Sequence, residues 1–481
     1  MSILAYFPKG LTARKEQAEL LLELERRWAS GDVFVITAPT ATGKTAIAVT
    51  IAAWRAGKHE TTNYLPPTNL LVEQVTSQYK QLATMQRMSS YRCESKQQSC
   101  AATKDEEDYV CKGCPYAAAL RTTRKAPMRA MNYHVYLAHK LYATNVIFDE
   151  AHQLLDMLYA DVRLYRAQYK FPTGMKTVAD VLIWGQAHQD RLKKQGQTPD
   201  IRLGDAMRQI ALVRNSAMIL YKPYKYRGRP DVMLQIIPSG VRSLPPWMWP
   251  ESKVRKIVMM SSTINKLDIE EMGLQNKRVV YLECGSPIPP ERRPVVFEPH
   301  YNMSRSTKER ALPTLVTMIN SLLAKHPKDR GLIHLPYALA DEIRPLLSDP
   351  RLIFHEKDNK QWALEQFRAD TTNRVLVASG LFEGVDLPYD AARWQLIGKV
   401  PYLSLADEWI KKKSEDNPDW YQWEAVKRVV QAAGRIVRAP DDEGISYIFD
   451  SQFGRLLDRD MHRHTTLFPR FFRDALIDLR R

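Results

Sequence analysis

Short, uninterrupted apolar runs recur along the chain, and segments of helical composition separate many of them. Val33–Ile36, Val146–Phe148, Ile257–Met260, Gly331–Leu335, Val375–Ala378, Leu396–Val400 and Ile445–Phe449 each read as a strand. Apolar runs this short, with no alternating polar face, suit strands covered on both sides. The pattern predicts an α/β fold with parallel sheets and helices on both faces. The first run leads into Thr37-Ala38-Pro39-Thr40-Ala41-Thr42-Gly43-Lys44-Thr45 and then into Ala46–Ala56, which has helical composition. Strand, loop and helix in that order open a nucleotide-binding α/β unit.

Two stretches interrupt the alternation. Residues 86–125 hold four of the five cysteines, and residues 155–250 separate an acidic strand end from the next core strand and are expected to be mainly helical. A second α/β block begins near residue 285, after Gly285-Ser286-Pro287-Ile288-Pro289-Pro290, where proline suits a hinge. The expected organisation is 1–85, 126–154 and 251–284 as one α/β domain, with 86–125 and 155–250 inserted into it, and 285–481 as a second.

Composition narrows the function classes. Of 481 residues, 44% are hydrophobic and 26% charged, which excludes a disordered chain, a fibre and a small disulfide scaffold. Lys and Arg number 70 against 54 Asp and Glu, a net charge of +16, so a polyanion such as nucleic acid is the expected partner. Residues 161–260 alone carry 18 basic and 7 acidic residues. Within them, Tyr221-Lys222-Pro223-Tyr224-Lys225-Tyr226-Arg227-Gly228-Arg229 interleaves cations for phosphate with aromatic faces for base stacking. Lys222, Tyr224, Lys225, Tyr226, Arg227 and Arg229 are the candidate nucleic-acid contacts. No signal-peptide pattern opens the chain and no run of 18 uncharged apolar residues occurs, so a cytoplasmic protein without a membrane span is expected. Cysteines in a reducing compartment are metal ligands or thiols more often than disulfides.

Two motifs point to nucleotide chemistry. Backbone N–H groups of the loop through Thr40, Thr42 and Gly43 can cradle phosphates, Lys44 can reach the outer ones, and the Thr45 hydroxyl can ligate Mg2+. The strand ending in Asp149-Glu150-Ala151-His152 brings two carboxylates to one point. Asp149 can hold the metal, and Glu150 can act as general base toward water. Cys93, Cys100, Cys111 and Cys114 have the spacing C-x6-C-x10-C-x2-C. Four thiolates from one segment suit zinc or an iron–sulfur cluster, and the spacing leaves both open.

Asp149–His152 is a DEAH box, and with Ala38–Thr45 the chain resembles the superfamily 2 helicases of the XPD/DinG branch. Ala41 stands where motif I of that family usually has glycine. Further motifs follow in order. Arg14-x-x-Gln17 resembles the Q-like element, which makes Gln17 a candidate adenine contact. Thr68-x-x-Leu71-x-x-Gln74 resembles motif Ia, Ser261-Ser262-Thr263-Ile264 motif III, and Gly331–Tyr337 lies where motif IV belongs. Phe382-Glu383-Gly384-Val385-Asp386 resembles motif V, with Glu383 and Asp386 as nucleotide-site candidates. Gln431-Ala432-Ala433-Gly434-Arg435-Ile436-Val437-Arg438 resembles motif VI. There Gln431 is a further nucleotide-site candidate. Arg435 and Arg438, three apart and expected on one helix face, would stabilise charge on a transferring phosphoryl group.

The resemblance implies two RecA-like domains, a [4Fe–4S] cluster on the four cysteines, and an Arch-like domain at 155–250. It also implies ATP and Mg2+ as cofactors and 5′ to 3′ movement of a monomer on single-stranded DNA and DNA junctions. A translocase that remodels nucleoprotein without unwinding, and a zinc-containing nucleic-acid-binding protein, are the alternative readings.

Overall fold

A computed structural model describes residues 1–94, 96–101, 113–158, 162–213, 217–238, 249–379, 387–461 and 467–480. In chain order the strands before the second block are β1 Val33–Thr37, β2 Thr62–Leu65, β3 Ala83–Thr84, β4 Met128–Ala130, β5 Asn145–Asp149, β6 Val162–Tyr165, β7 Ala217–Tyr226, β8 Arg229–Pro238, β9 Lys256–Ser261 and β10 Val279–Glu283. After them come β11 Val295–Tyr301, β12 Gly331–His334, β13 Leu352–Ile353, β14 Val375–Val377, β15 Trp394–Ile397, β16 Ile445–Asp450 and β17 Leu476–Asp478.

Two seven-stranded parallel sheets result, in the orders β10-β1-β9-β5-β2-β4-β3 and β13-β14-β12-β15-β16-β11-β17. The apolar runs at 33–36, 146–148 and 257–260 are the contiguous strands β1, β5 and β9 at the heart of the first sheet. Both faces of that sheet are covered. Phe34, Ile36, Tyr64 and Ile147 pack on one side with the helix Lys44–Ala56, while Val35, Leu65, Phe148 and Met259 pack on the other. Because the strands are parallel, their C-terminal ends share one rim, where ligands of open α/β sheets bind.

The second sheet matches the remaining runs, with one shift. The strand expected from Leu396 starts at Trp394, whose indole is fully buried, and stops before Gly398. A Cβ at Gly398 would lie 2.6 Å from Leu335 Cδ2, so any larger residue there would have to displace the buried Leu335 side chain.

The inserted stretch 155–250 contains the helices Val178–Lys194 and Ile201–Val213, as the helical expectation requires. It also contains a three-stranded antiparallel sheet, β6-β8-β7, that the apolar runs did not reveal. The ten-residue strand β7 carries Lys, Pro and Tyr, so it lacks an apolar block. Helices and sheet share a core of Leu164, Phe171, Val181, Leu203, Leu234 and Ile236.

The two sheet domains meet through buried charge. The short helix Lys266–Glu271, which follows β9, packs on the helices Glu408–Asp416 and Pro418–Ala433 of the second domain. Lys413 Nζ lies 2.7 Å from Glu271 Oε2, and Asn417 Nδ2 donates to the same carboxylate at 3.1 Å. Lys427 Nζ lies 3.4 Å from Asp268 Oδ1, and Trp423 Nε1 donates to Asp268 Oδ2 at 2.9 Å.

Candidate nucleotide and nucleic-acid site

The loop after β1 is held by the N-terminal helix Lys15–Arg27. Gln17 Nε2 donates to Thr42 O at 2.7 Å, its Oε1 accepts from Arg14 N at 2.9 Å, and the Arg14 guanidinium donates to Ala41 O. Gln17 is 5% exposed, and its amide joins the start of the helix to the loop. Gly43, at φ 70, caps the helix Lys44–Ala56, and a Cβ there would come within 2.7 Å of Gln17 Nε2. Ala41 takes the left-handed conformation too, at φ 65. The substitution for glycine therefore carries about 1–2 kcal/mol of backbone strain. Thr42 Oγ1 donates to Pro39 O at 2.6 Å, which tightens the turn.

Asp149 and Glu150 lie at the end of β5, beside the loop. Lys44 Nζ is 3.1 Å from Glu150 Oε1. Asp149 Oδ1 accepts from Glu150 N at 3.0 Å, and its Oδ2 accepts from the Tyr64 hydroxyl at 2.5 Å. The Tyr133 hydroxyl donates to the Asp149 carbonyl. Glu150 also has positive φ, 46, which turns the chain sharply at the rim.

The electrostatics separate the two acids. Burial, and then the charge of Glu150, push the Asp149 carboxyl above the usual range. Burial also raises Glu150, but Lys44 and then Arg435 outweigh it and leave that carboxyl below the usual range. Burial lowers Lys44, yet Glu150 and Asp149 together carry its pKa above the ordinary value. Lys44 and Glu150 are therefore both charged at neutral pH.

His152 links the domains. Its Nδ1 lies 2.7 Å from Ser261 Oγ, and its Nε2 lies 3.0 Å from Gln431 Nε2. Since the Gln431 amide nitrogen can only donate, His152 Nε2 accepts and Nδ1 carries the proton toward Ser261. Gln431 Nε2 also reaches Thr263 Oγ1 at 3.2 Å. Residues 152, 261, 263 and 431 thus form one network across the cleft.

The helix Pro418–Ala433 ends before the two arginines, so Arg435 and Arg438 do not share a helix face as expected. They stand on the turn after Gly434. A Cβ on Gly434 would lie 3.6 Å from Thr40 Cγ2, so this turn closes on the loop after β1 itself. Arg435 acts electrostatically on Glu150, and Arg438 on Lys44. The turn is anchored by the fully buried Asp442, which accepts from Arg438 N at 3.0 Å and from Tyr389 N at 3.0 Å. Tyr64 and Asp442 were not singled out from sequence. Tyrosine on a strand and aspartate in a turn carry no spacing signal. Glu383 and Asp386 lie outside the described residues.

Cys93, Cys100 and Cys114 are buried, and the sulfurs of Cys100 and Cys114 are 3.8 Å apart. Cys111 lies outside the described residues, among which no three His, Cys, Asp or Glu side chains close on a metal ion. Cys114 caps the helix Pro115–Lys125, with Pro115 in its first turn. The Tyr116 hydroxyl, in the same first turn, is 2.6 Å from His139 Nε2 and ties this segment to the first domain. Cys284 stands apart, 4% exposed beside Glu16 O, its thiol pushed up to about 12 by burial.

The basic run lies on the β7–β8 hairpin, whose tip turns at Arg227 and Gly228 with φ 48 and 80. Lys222, Tyr224, Lys225, Arg227 and Arg229 are exposed. Strand alternation and pairing place Lys222, Tyr224 and Arg229 on one face and Lys225 on the other. Tyr221 instead faces inward, its hydroxyl accepting from Met175 N at 2.7 Å. Of Tyr226 only the backbone is described.

Comparisons with known proteins agree with these motifs. Residues 14–179 match the DEAD/DEAH box helicase family, and residues 326–465 match the helicase C-terminal domain family. The chain is 34% identical over 123 residues to the ATP-dependent DNA helicase YoaA of Escherichia coli, covering 24% of this chain and 19% of that one. It is 31% identical over 107 residues to the helicase subunit XPD of general transcription and DNA repair factor IIH from Schizosaccharomyces pombe, covering 19% and 14%. The matched segments thus span less than a fifth of these relatives. Among solved structures, an XPD helicase superposes with TM-score 0.62 at 15% identity over 98% of this chain and all of its own. Xpd4 of S. tokodaii gives TM-score 0.59 at 14% identity over 97% of this chain and all of its own. With both helicase halves matched in order around one cleft, the chain belongs to the XPD/DinG-like superfamily 2 helicases.

Proposed function

We propose that the chain is an ATP-driven DNA helicase. The observation that carries this reading is the cleft, in which Lys44, Asp149 and Glu150 of one sheet face the Gln431–Arg438 segment of the other across the His152–Gln431 contact. In this reading Lys44 holds the outer phosphates of ATP, and Glu150, kept ionised by Lys44, takes the proton of the attacking water. Thr45 and Asp149 would hold Mg2+, which supplies charge neutralisation on the phosphates. Arg435 and Arg438 complete the site from the second domain, so their approach and withdrawal couple hydrolysis to domain motion.

Single-stranded DNA is the proposed track, with the β7–β8 hairpin contributing phosphate and stacking contacts whose chemistry tolerates any sequence. Polarity from 5′ to 3′ rests on the family resemblance, as does an iron–sulfur cluster on Cys93, Cys100, Cys111 and Cys114. The donor chemistry suits such a cluster, and the approach of Cys100 to Cys114 favours a shared centre. A cluster there would brace a segment too short to build its own apolar core.

The reading is tested by DNA-stimulated ATPase. Wild type should hydrolyse ATP, Lys44→Ala should lose nucleotide binding and turnover, and Glu150→Gln should bind ATP yet turn over at least a hundredfold more slowly, as loss of a general base implies. Wild-type turnover by Glu150→Gln would remove the assigned base.

A further inference from the structure

We propose that Tyr64 is a positioning residue for the divalent cation of the nucleotide site, holding the Asp149 carboxylate in the orientation that a metal requires. The proposal rests on the reading of this cleft as a Mg–ATP site, and it assigns a residue that no sequence motif marks.

Tyr64 lies on β2, hydrogen-bonded beside β5 in the register Tyr64↔Ile147. Tyr64 and Ile147 project into the same core, under the helix Lys44–Ala56. Asp149, two residues past Ile147, points to that face as well. The Tyr64 ring is fully buried and runs along the sheet, so its hydroxyl meets Asp149 Oδ2 at 2.5 Å. The Tyr64 hydroxyl therefore holds the carboxylate of a residue that would ligate the cation.

The consequence is geometric. A carboxylate offers about four lone-pair directions. Glu150 N takes one on Oδ1 and Tyr64 takes one on Oδ2, so rotation of the carboxylate is blocked from both sides. The directions left over are set by the protein before any metal arrives. Hydrogen bonds from neighbouring groups that orient a metal ligand typically change metal affinity by 10–100-fold when removed.

Tyr133 is the internal control. Its buried hydroxyl donates to the backbone carbonyl of Asp149 and not to the carboxylate. Tyr64→Phe and Tyr133→Phe each delete one buried hydroxyl beside Asp149 and keep the ring, so a general loosening would affect both alike.

The test measures binding of a fluorescent ADP analogue against Mg2+ concentration, and again in EDTA, with thermal unfolding of each variant alongside. Tyr64→Phe should raise the Mg2+ concentration for half-maximal effect by about tenfold or more, leave binding in EDTA unchanged, and regain wild-type affinity at saturating Mg2+. Tyr133→Phe should leave the Mg2+ midpoint within about twofold of wild type, below the range for a lost ligand partner. An unshifted midpoint in Tyr64→Phe, or equal shifts in both variants, overturns the proposal. Absence of any Mg2+ effect on nucleotide binding by wild type would instead overturn the reading of the cleft, and the role of Tyr64 with it.

Discussion

Lys413→Met is expected to loosen the joint between the two sheet domains. Lys413 is fully buried and Glu271 is 3% exposed, with 2.7 Å between charges. The ammonium also lies 4.4 Å from the Trp420 ring centroid. Methionine replaces the aliphatic stem, so little packing is lost, but the Glu271 carboxylate stays buried without its cation. Removing one partner of a buried pair costs about 3–5 kcal/mol. The neighbouring Lys412, whose pair with Asp416 is exposed at 51% and 44%, gives the contrast. Lys412→Met should cost no more than about 0.5 kcal/mol. Replacing both charges, in Lys413→Met with Glu271→Met, should recover most of the loss, since apolar residues of similar volume often substitute for a buried pair at little cost. Native-state hydrogen exchange of the amides in Lys266–Glu271 reports the local opening free energy without requiring two-state unfolding of a multidomain chain. A 3 kcal/mol loss is about a hundredfold faster exchange. If Lys413→Met accelerates exchange no more than Lys412→Met does, the buried pair does not hold this interface. The position matters because Glu271 ends the helix after Ser261–Ile264, while Lys413 belongs to the helix before the one that carries Gln431.

Other expectations follow from single sites. Replacing Lys222, Lys225, Arg227 and Arg229 with alanine should weaken single-strand binding for all sequences and flatten its salt dependence by up to about 3 counterions, read from binding isotherms at several salt concentrations. Cys93, Cys100, Cys111 and Cys114 should each be needed for bound iron, with a broad absorbance near about 400 nm in freshly purified protein, whereas Cys284→Ser should keep the iron; stoichiometric zinc in anaerobically prepared protein would contradict the cluster. His334 is fully buried and its pKa is pushed down to about 4 by burial. Below the unfolded value of about 6.5 the unfolded chain takes up the proton first, so stability falls as pH falls toward 4. Denaturant unfolding at pH 7 and pH 4 should show wild type losing about 3 kcal/mol more than His334→Gln over that range.

The legible part of the fold was the part with two-sided burial. β1, β5 and β9 carry continuous apolar runs because helices cover both faces, whereas Thr62 and Asn63 of β2 are polar residues that are nevertheless buried, with Asn63 Nδ2 donating to Leu141 O at 2.6 Å. No hydropathy pattern reveals that. The β7–β8 hairpin was hidden for a related reason: one face meets a small core and the other is basic. In the site, Lys44 at a helix start and the Asp149-Glu150 pair at a strand end were readable from their order in the sequence, and the structure brings Lys44 and Glu150 together. The arginines were readable as residues but not as geometry, since the helix stops at Ala433 and the buried Asp442 holds the turn instead. Tyr64 and the Asp268–Lys427 and Glu271–Lys413 pairs depend on which strands and helices become neighbours, and only the fold supplies that.

The most direct measurement is strand displacement. A fluorescently labelled duplex with a single-stranded tail should be separated by the wild-type chain only with ATP and Mg2+, and by Glu150→Gln not at all, although both bind the tail. Equal displacement by Glu150→Gln, or displacement by wild type without ATP, would contradict an ATP-driven helicase; DNA-stimulated ATPase with no displacement on either tail polarity would leave a translocase in its place.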